Sequence, residues 1–146
     1  AEVGAALSGR PLEEQAALRS YGKNLGLAFQ LVDDVLDYSG DSRDLGKLVG
    51  DDFREGKITL PIILSFRRGD NSERLFWTRT IVQGDIKDGD IQNALVLMNK
   101  YRALEDTIDR ARAYGAIAQD ALAIFPNSSQ KHALQELINF SINRNH

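Results

Sequence analysis

Three carboxylates and an amide, Gln30, Asp33, Asp34 and Asp37, lie close together in a segment that is otherwise greasy. Coiled as a helix, Gly26, Gln30, Asp33, Asp34 and Asp37 fall within an arc of about 100°. Leu25, Leu27, Ala28, Phe29, Leu31, Val32, Val35 and Leu36 cover the rest of the circumference. An ordinary surface helix has an apolar stripe on a polar background; here the pattern is inverted, and the acids are expected to line an internal cavity. Carboxylates placed there repel one another and lose hydration unless a cation satisfies them. The competing reading is a solvated acidic face, but such faces carry Lys or Arg at i±4. Here Asp41 follows Asp37 by four and Phe29 precedes Asp33 by four. Oxygen-only donors suit Mg²⁺, Mn²⁺ or Ca²⁺ over zinc, and Mg²⁺ characteristically completes its shell with water and substrate phosphate.

Phosphate chemistry follows just downstream. Lys47 and Lys57 each stand after a glycine, Gly46 and Gly56. Lysine is a compact point charge suited to phosphate oxygens, and glycine permits close backbone approach or positive φ. Each lysine alone reads as a solvated side chain; beside an acidic helix the pair reads as a diphosphate holder. Asp51, Asp52 and Glu55 read as first-turn acids of a helix, and Pro61 requires a helix here to kink or to start.

The elements that must position these groups are helical. Pro11, with Glu13 and Glu14 in the first turn, opens a helix through about Tyr38, with a break possible at Gly22 and a stop at Gly40, Asp41 and Ser42. A loop carries Lys47. A helix over about 51–68, bent at Pro61, ends at Gly69. Asn71 or Ser72 caps the next, through about Val82, and Asp90 caps one that runs to Lys100. Leu104 to Phe125 forms a long amphipathic helix whose inner side is Ile108, Ala111, Ala118, Leu122 and Phe125, closed by Pro126. Asn127, Ser128 and Ser129 begin the last, through about Ile142. Asp85, Asp88 and Asp90 sit among Gly84 and Gly89 and read as a turn. No strand pattern is visible.

Phe29-Gln30-x-x-Asp33-Asp34-x-x-Asp37, then Gly46-Lys47-x-x-Gly50-Asp51-Asp52 and Glu55-Gly56-Lys57-x-Thr59-Leu60-Pro61, resembles the second aspartate-rich region of the trans-type polyprenyl diphosphate synthases. Tyr21-Gly22-x-x-Leu25-Gly26-x-Ala28 is similar to that family's approach to the same helix. The Gly-Asp-Asp and Glu-Gly-Lys-x-Thr-Leu-Pro elements look more like the long-chain branch, which makes quinone side chains such as that of ubiquinone. The resemblance implies an all-α helical bundle of the isoprenoid synthase type, of which residues 1–146 are the C-terminal portion of a single domain. It implies a Mg²⁺-dependent prenyltransferase joining isopentenyl diphosphate to an allylic diphosphate in repeated 1′-4 condensations, with an apolar tunnel for the growing chain. Asp33 is then the first choice as Mg²⁺ ligand, helped by Asp34 and Asp37. Lys47 and Lys57 hold the allylic diphosphate, and Gln30 contacts it or orients a ligand. Asp33, Asp34 and Lys47 are the catalytic set. A non-catalytic partner subunit of a heteromeric synthase and a related terpene synthase are the alternatives; the intact acids and lysines argue against the first, the chain-elongation elements against the second.

The family's first aspartate-rich motif, the arginines after it and a preceding Lys-Thr pair do not occur in these 146 residues, and the helix of small residues at Ala1, Gly4, Ala5 and Ala6 starts without Met. A net charge of −3 argues against nucleic acid and anionic membranes as partners. No run is long enough to insert in a membrane, and no signal peptide is visible. The absence of cysteine excludes disulfides and thiolate metal sites and agrees with a cytoplasmic location. The resemblance implies a homodimer. His132 and His146 lack ligand spacing; Trp77, Phe76 and Tyr38 read as packing residues; Arg144 reads as a solvated side chain in a frayed tail, although related synthases carry basic C-terminal residues that can close over the diphosphate. With one acidic motif of two, the chain by itself is expected to be inactive. Incubated with Mg²⁺, isopentenyl diphosphate and farnesyl diphosphate, the purified chain should yield no longer prenyl product by chromatography.

Overall fold

The computed structural model describes residues 9, 11–39 and 49–144. The expected helix stop at 40–42, the Lys47 loop, the helix of small residues near Ala1 and His146 lie outside the described residues. Among the described residues every regular element is helical: α1 (Leu12–Ser39), α2 (Asp51–Arg54), α3 (Leu60–Arg68), α4 (Asn71–Trp77) with a π-helical continuation (Thr78–Val82), α5 (Asp90–Lys100), α6 (Ala103–Ala121) with a 3₁₀ turn (Leu122–Ile124), and α7 (Ser129–Ile142).

The carbonyl of Pro11 accepts from Glu14 and Gln15 at 3.0 Å, and α1 then runs 28 residues without interruption. The possible break at Gly22 does not occur. A mid-helix glycine costs about 1 kcal/mol against alanine, and α1 offsets this by burying Tyr21, Ala28, Val32, Val35 and Tyr38, spaced at three to seven residues along one side. The helix is not buried on most sides as its composition suggests: Leu27 and Phe29 are exposed, as are Gln30 and Asp33.

Two compact units divide the chain, one formed by residues through Val32 with Asp109–Arg144, the other by Asp33–Ile108. In the first, Tyr21 Oη donates to the carbonyl of Leu134 at 2.9 Å. Ala111, Ala118 and Leu122 are fully buried along the expected inner side of α6. Ser128 caps α7 by accepting from the Lys131 amide at 3.0 Å, as expected. Arg144 is not a solvated tail: it donates to the carbonyl of Phe29 at 2.8 Å, and its guanidinium lies 3.9 Å from the centre of the Phe29 ring.

The second unit has a continuous apolar core that includes Tyr38, Phe53, Ile62, Leu64, Trp77, Met98 and Ala103. Buried Phe53 and Trp77 meet half-buried Phe76 as an aromatic trio, Phe76 and Trp77 edge to face at 5.0 Å between centroids and Phe53 6.3 Å from Trp77. The expected continuous helix over 51–68 is two helices. Gly56 at φ 72° ends the first, and Pro61, in the first turn of α3, begins the second. Asp70, rather than Asn71 or Ser72, caps α4: its carboxylate accepts from the Glu73 amide and Glu73 accepts from the Asp70 amide, both at 2.8 Å, a reciprocal capping box. Gly89 occupies the capping position ahead of α5, so Asp90 lies inside the helix, where it takes a bidentate pair from Arg79 at 2.9 and 3.0 Å. An apolar groove of about 290 Å³ runs between α3 and the π-helical turn, past Ile58, Ile62, Phe66, Trp77 and Val82.

Glu73 also accepts from Lys100 Nζ at 2.8 Å and Tyr101 Oη at 2.5 Å. The Lys100 and Tyr101 bonds, with the Asp70 amide, hold its carboxyl down to about 2, against an ordinary 4.5. A depressed carboxylate stabilises the fold above its unfolded-state value, and the contribution is lost as pH falls from there through about 2. Thermal melts from pH 6 to pH 2 should therefore show a smaller fall in Tm for Glu73→Gln than for the parent protein over the range below pH 4.5.

Candidate functional site

The acidic end of α1 meets the start of α2 through backbone. Gly50, at φ 83°, turns the chain so that its amide donates to the carbonyl of Asp37 at 2.9 Å. A side chain there would run into Ile91. A helix leaves its first amides unbonded, and glycine in the capping position has no side chain to satisfy them. Asp37 does so from a distance: its Oδ2 accepts from the Asp52 amide at 3.1 Å. A negative group at that end is also favoured by the partial charge of the helix start.

The end of α2 is equally determined. Gly56 donates to the carbonyl of Phe53 at 3.1 Å and Lys57 to that of Asp52 at 2.8 Å, with Gly56 left-handed. This is the Schellman arrangement, which folds the residue after the glycine back over the helix. Lys57 is thereby returned toward α1, its Nζ 3.9 Å from Asp34 Oδ1 and 3.9 Å from Asp52 Oδ2. The Asp34 side chain is 8 % exposed and that of Lys57 47 %. With the ammonium half in solvent, each pair contributes about 1 kcal/mol or less; the arrangement fixes where the charges sit more than it stabilises the fold.

The three acids of the motif thus have three environments. Asp33 is exposed, Asp34 is buried against Lys57, and Asp37 is half-buried as the cap of α2. Gln30 is exposed one turn before Asp33 and Asp34 on the same helix. Lys47 lies outside the described residues. Among the described residues no three acidic or histidine side chains gather into a metal cage. The donors are carboxylate oxygens, with Asp33 open to solvent. Such a set fits a cation that keeps water and phosphate oxygens as most of its ligands, which is how Mg²⁺ is usually held.

Two buried hydroxyls lie behind the acids. Tyr38 Oη and Thr59 Oγ1 make no well-formed hydrogen bond among the described residues. Burial, and then the charges of Asp37 and Asp52, push the Tyr38 phenol well above its ordinary value, so it stays protonated; Thr59 pulls weakly the other way. Sequence reasoning assigned Tyr38 to packing, and its burial agrees. Asp52, read from the sequence as a first-turn acid, also lends its carbonyl to the Schellman turn and its carboxylate to Lys57. Asp51 does read as an ordinary first-turn acid, 3.4 Å from Arg54.

The family profile described as Polyprenyl synthetase matches residues 1–98. The octaprenyl diphosphate synthase of Haemophilus influenzae is 39 % identical over 145 residues, 99 % of this chain and 44 % of that protein. That of Escherichia coli is 37 % identical over 144 residues, again 99 % and 44 %. The crystal structure of a polyprenyl synthase from Caulobacter crescentus, complexed with calcium and isoprenyl diphosphate, superposes with a TM-score of 0.90 at 45 % identity, covering 98 % of this chain and 44 % of that one. The chain spans less than half the length of these relatives.

Gly56 holds its left-handed conformation with only ordinary contact awaiting a Cβ, the carbonyl of Ile81 at 3.5 Å. Gly56→Ala is therefore a test of backbone strain with little steric clash. It should cost about 1–2 kcal/mol, read as a lower midpoint in urea with an unchanged slope.

Proposed function

The chain belongs to the polyprenyl synthetase family, and from that premise we propose that it is the C-terminal portion of a linear trans-polyprenyl diphosphate synthase of the long-chain branch. The enzyme adds isopentenyl diphosphate to an allylic diphosphate and acts as a homodimer in the cytoplasm. The observation that carries this reading is the placing of Lys57 between Asp34 and Asp52, with Asp33, the residue before Asp34 on the same helix, open to solvent.

In this reading Lys57 exchanges part of its contact with Asp34 and Asp52 for the terminal oxygens of the allylic diphosphate. Gln30, one turn earlier, offers an amide to the same ligand. Asp33 is the principal ligand of Mg²⁺, with Asp34 and Asp37 behind it. Bound there, Mg²⁺ supplies Lewis-acid stabilisation to the departing diphosphate. The reaction itself breaks the allylic C–O bond, joins the resulting cationic carbon to the isopentenyl double bond and releases a proton. The contact that Lys57 retains with Asp34, and the bond from the Asp52 amide to Asp37, offset negative charge near the diphosphate. The matched relatives include two octaprenyl diphosphate synthases and a polyprenyl synthase complexed with isoprenyl diphosphate, which supports this reading and the long-chain branch.

The test uses the full-length protein with Mg²⁺, isopentenyl diphosphate and farnesyl diphosphate. Linear products longer than the primer are expected; cyclic products, or turnover only after adding a second, different chain, would sink the reading. Asp33→Asn should lower kcat about 100-fold or more, the scale seen when one electrostatic group is removed from a developing charge. Lys57→Ala should raise KM for the allylic diphosphate about tenfold, equivalent to about 1.4 kcal/mol of binding.

A further inference from the structure

Asp52 belongs to no part of the Asp33-Asp34-x-x-Asp37 motif, yet three of its groups reach two residues of the site. Its amide donates to Asp37 Oδ2 at 3.1 Å, its carbonyl accepts from the Lys57 amide at 2.8 Å, and its carboxylate lies 3.9 Å from Lys57 Nζ. We propose that Asp52 is a positioning residue for diphosphate binding: it holds the Lys57 ammonium beside the acidic end of α1 and couples that ammonium to the carboxylate of Asp37. The proposal rests on the reading of Lys57 as a diphosphate holder.

Neighbouring acids show that this is not a property of the segment. Asp51 pairs with Arg54 at 3.4 Å, and Glu55 is exposed. The Asp52 side chain is only 14 % exposed, against 32 % for Asp51. A free lysine side chain samples many rotamers, and that freedom is lost when it is held in one place. One carboxylate would leave Lys57 free to swing about it. Two, one on α1 and one on α2, bias the ammonium toward the space between them, so less ordering remains to be done when a diphosphate binds. Asp52 itself is a poor direct partner for a diphosphate, being of the same sign. Its effect passes through Lys57.

The side-chain and backbone roles separate cleanly. Asp52→Asn keeps the amide, the carbonyl and the size and removes only the charge; Asp52→Glu keeps the charge. In the full-length protein, inorganic pyrophosphate binding is followed by calorimetry, and KM and kcat are followed for the allylic substrate. Asp52→Asn should weaken pyrophosphate binding and raise KM by about two- to fivefold, the range of a partly exposed ion pair, with kcat changed less than about twofold. Asp52→Glu should recover part of the loss. In a Lys57→Ala background, Asp52→Asn should add almost nothing, because the two act through one group.

An undiminished effect in that background overturns the proposal. So does tighter pyrophosphate binding by Asp52→Asn, which would make Asp52 a competitor of the ligand. If Lys57→Ala weakens binding and Asp52→Asn does not, the positioning role alone fails. If Lys57→Ala leaves binding unchanged, the Lys57 reading falls and takes the proposal with it. Should Asp52→Asn not fold, Asp52→Ser retains the same backbone bonds without the charge and is read by the same criteria.

Discussion

The constraint on which this site depends is the requirement that the first amides of a helix find acceptors. α2 is preceded by Gly50, which can turn the chain at φ 83° but has nothing to cap with. The acceptor comes instead from Asp37, at the C-terminal end of α1, through the bond to the Asp52 amide. That interaction, with the bond from the Gly50 amide to the Asp37 carbonyl, joins the start of α2 to the acidic face. The Schellman turn at the other end of α2 then directs Lys57 back to Asp34. A helix of four residues is short enough that both of its ends serve the same few ångströms of surface.

This organisation changes how the acidic stripe is understood. Read along the sequence, three aspartates look like three versions of one function. In the structure they differ by burial and partner: one open, one set against an ammonium, one capping a helix. Two of the three have their charge balanced locally, by Lys57 and by the partial positive charge of a helix start.

Much of the fold was legible. Pro11, Ser128 and Gly69 stand where starts and stops were expected, and the buried side of α6 follows its 3.6-residue pattern. The boundaries that moved did so for local reasons already encoded in neighbouring residues. Asp70 takes the cap from Asn71 because Glu73 lies three residues after it and completes a reciprocal pair. Gly56 and Pro61, read separately as a ligand-facing glycine and a kink, together leave no helix between them. The π-helical turn at Thr78–Val82 had no sequence signal, since its extra residue is a matter of packing rather than propensity. Of the candidate site, the proximity of Asp34 and Lys57 was legible, the two lying 3.9 Å apart. The role of Asp52 was not, because it depends on main-chain groups that every residue possesses, and only the turn geometry reveals which ones are used. Arg144 was assigned to solvent for a similar reason: its partner is the carbonyl of Phe29, invisible to any pattern of side chains.

The aromatic trio has a bearing on motion. A four-residue helix has no stability of its own in water, and α2 is retained because Phe53, fully buried, is its anchor in the core beside Trp77. Withdrawing that ring would expose a side chain whose burial is worth about 1.5–3 kcal/mol, besides opening the centre of the core. The turn that presents Lys57 therefore cannot fray as a surface loop would. It opens only together with the hydrophobic interior beneath it, so amide exchange at Asp52 and Lys57 reports on a cooperative unit of the fold rather than on local breathing.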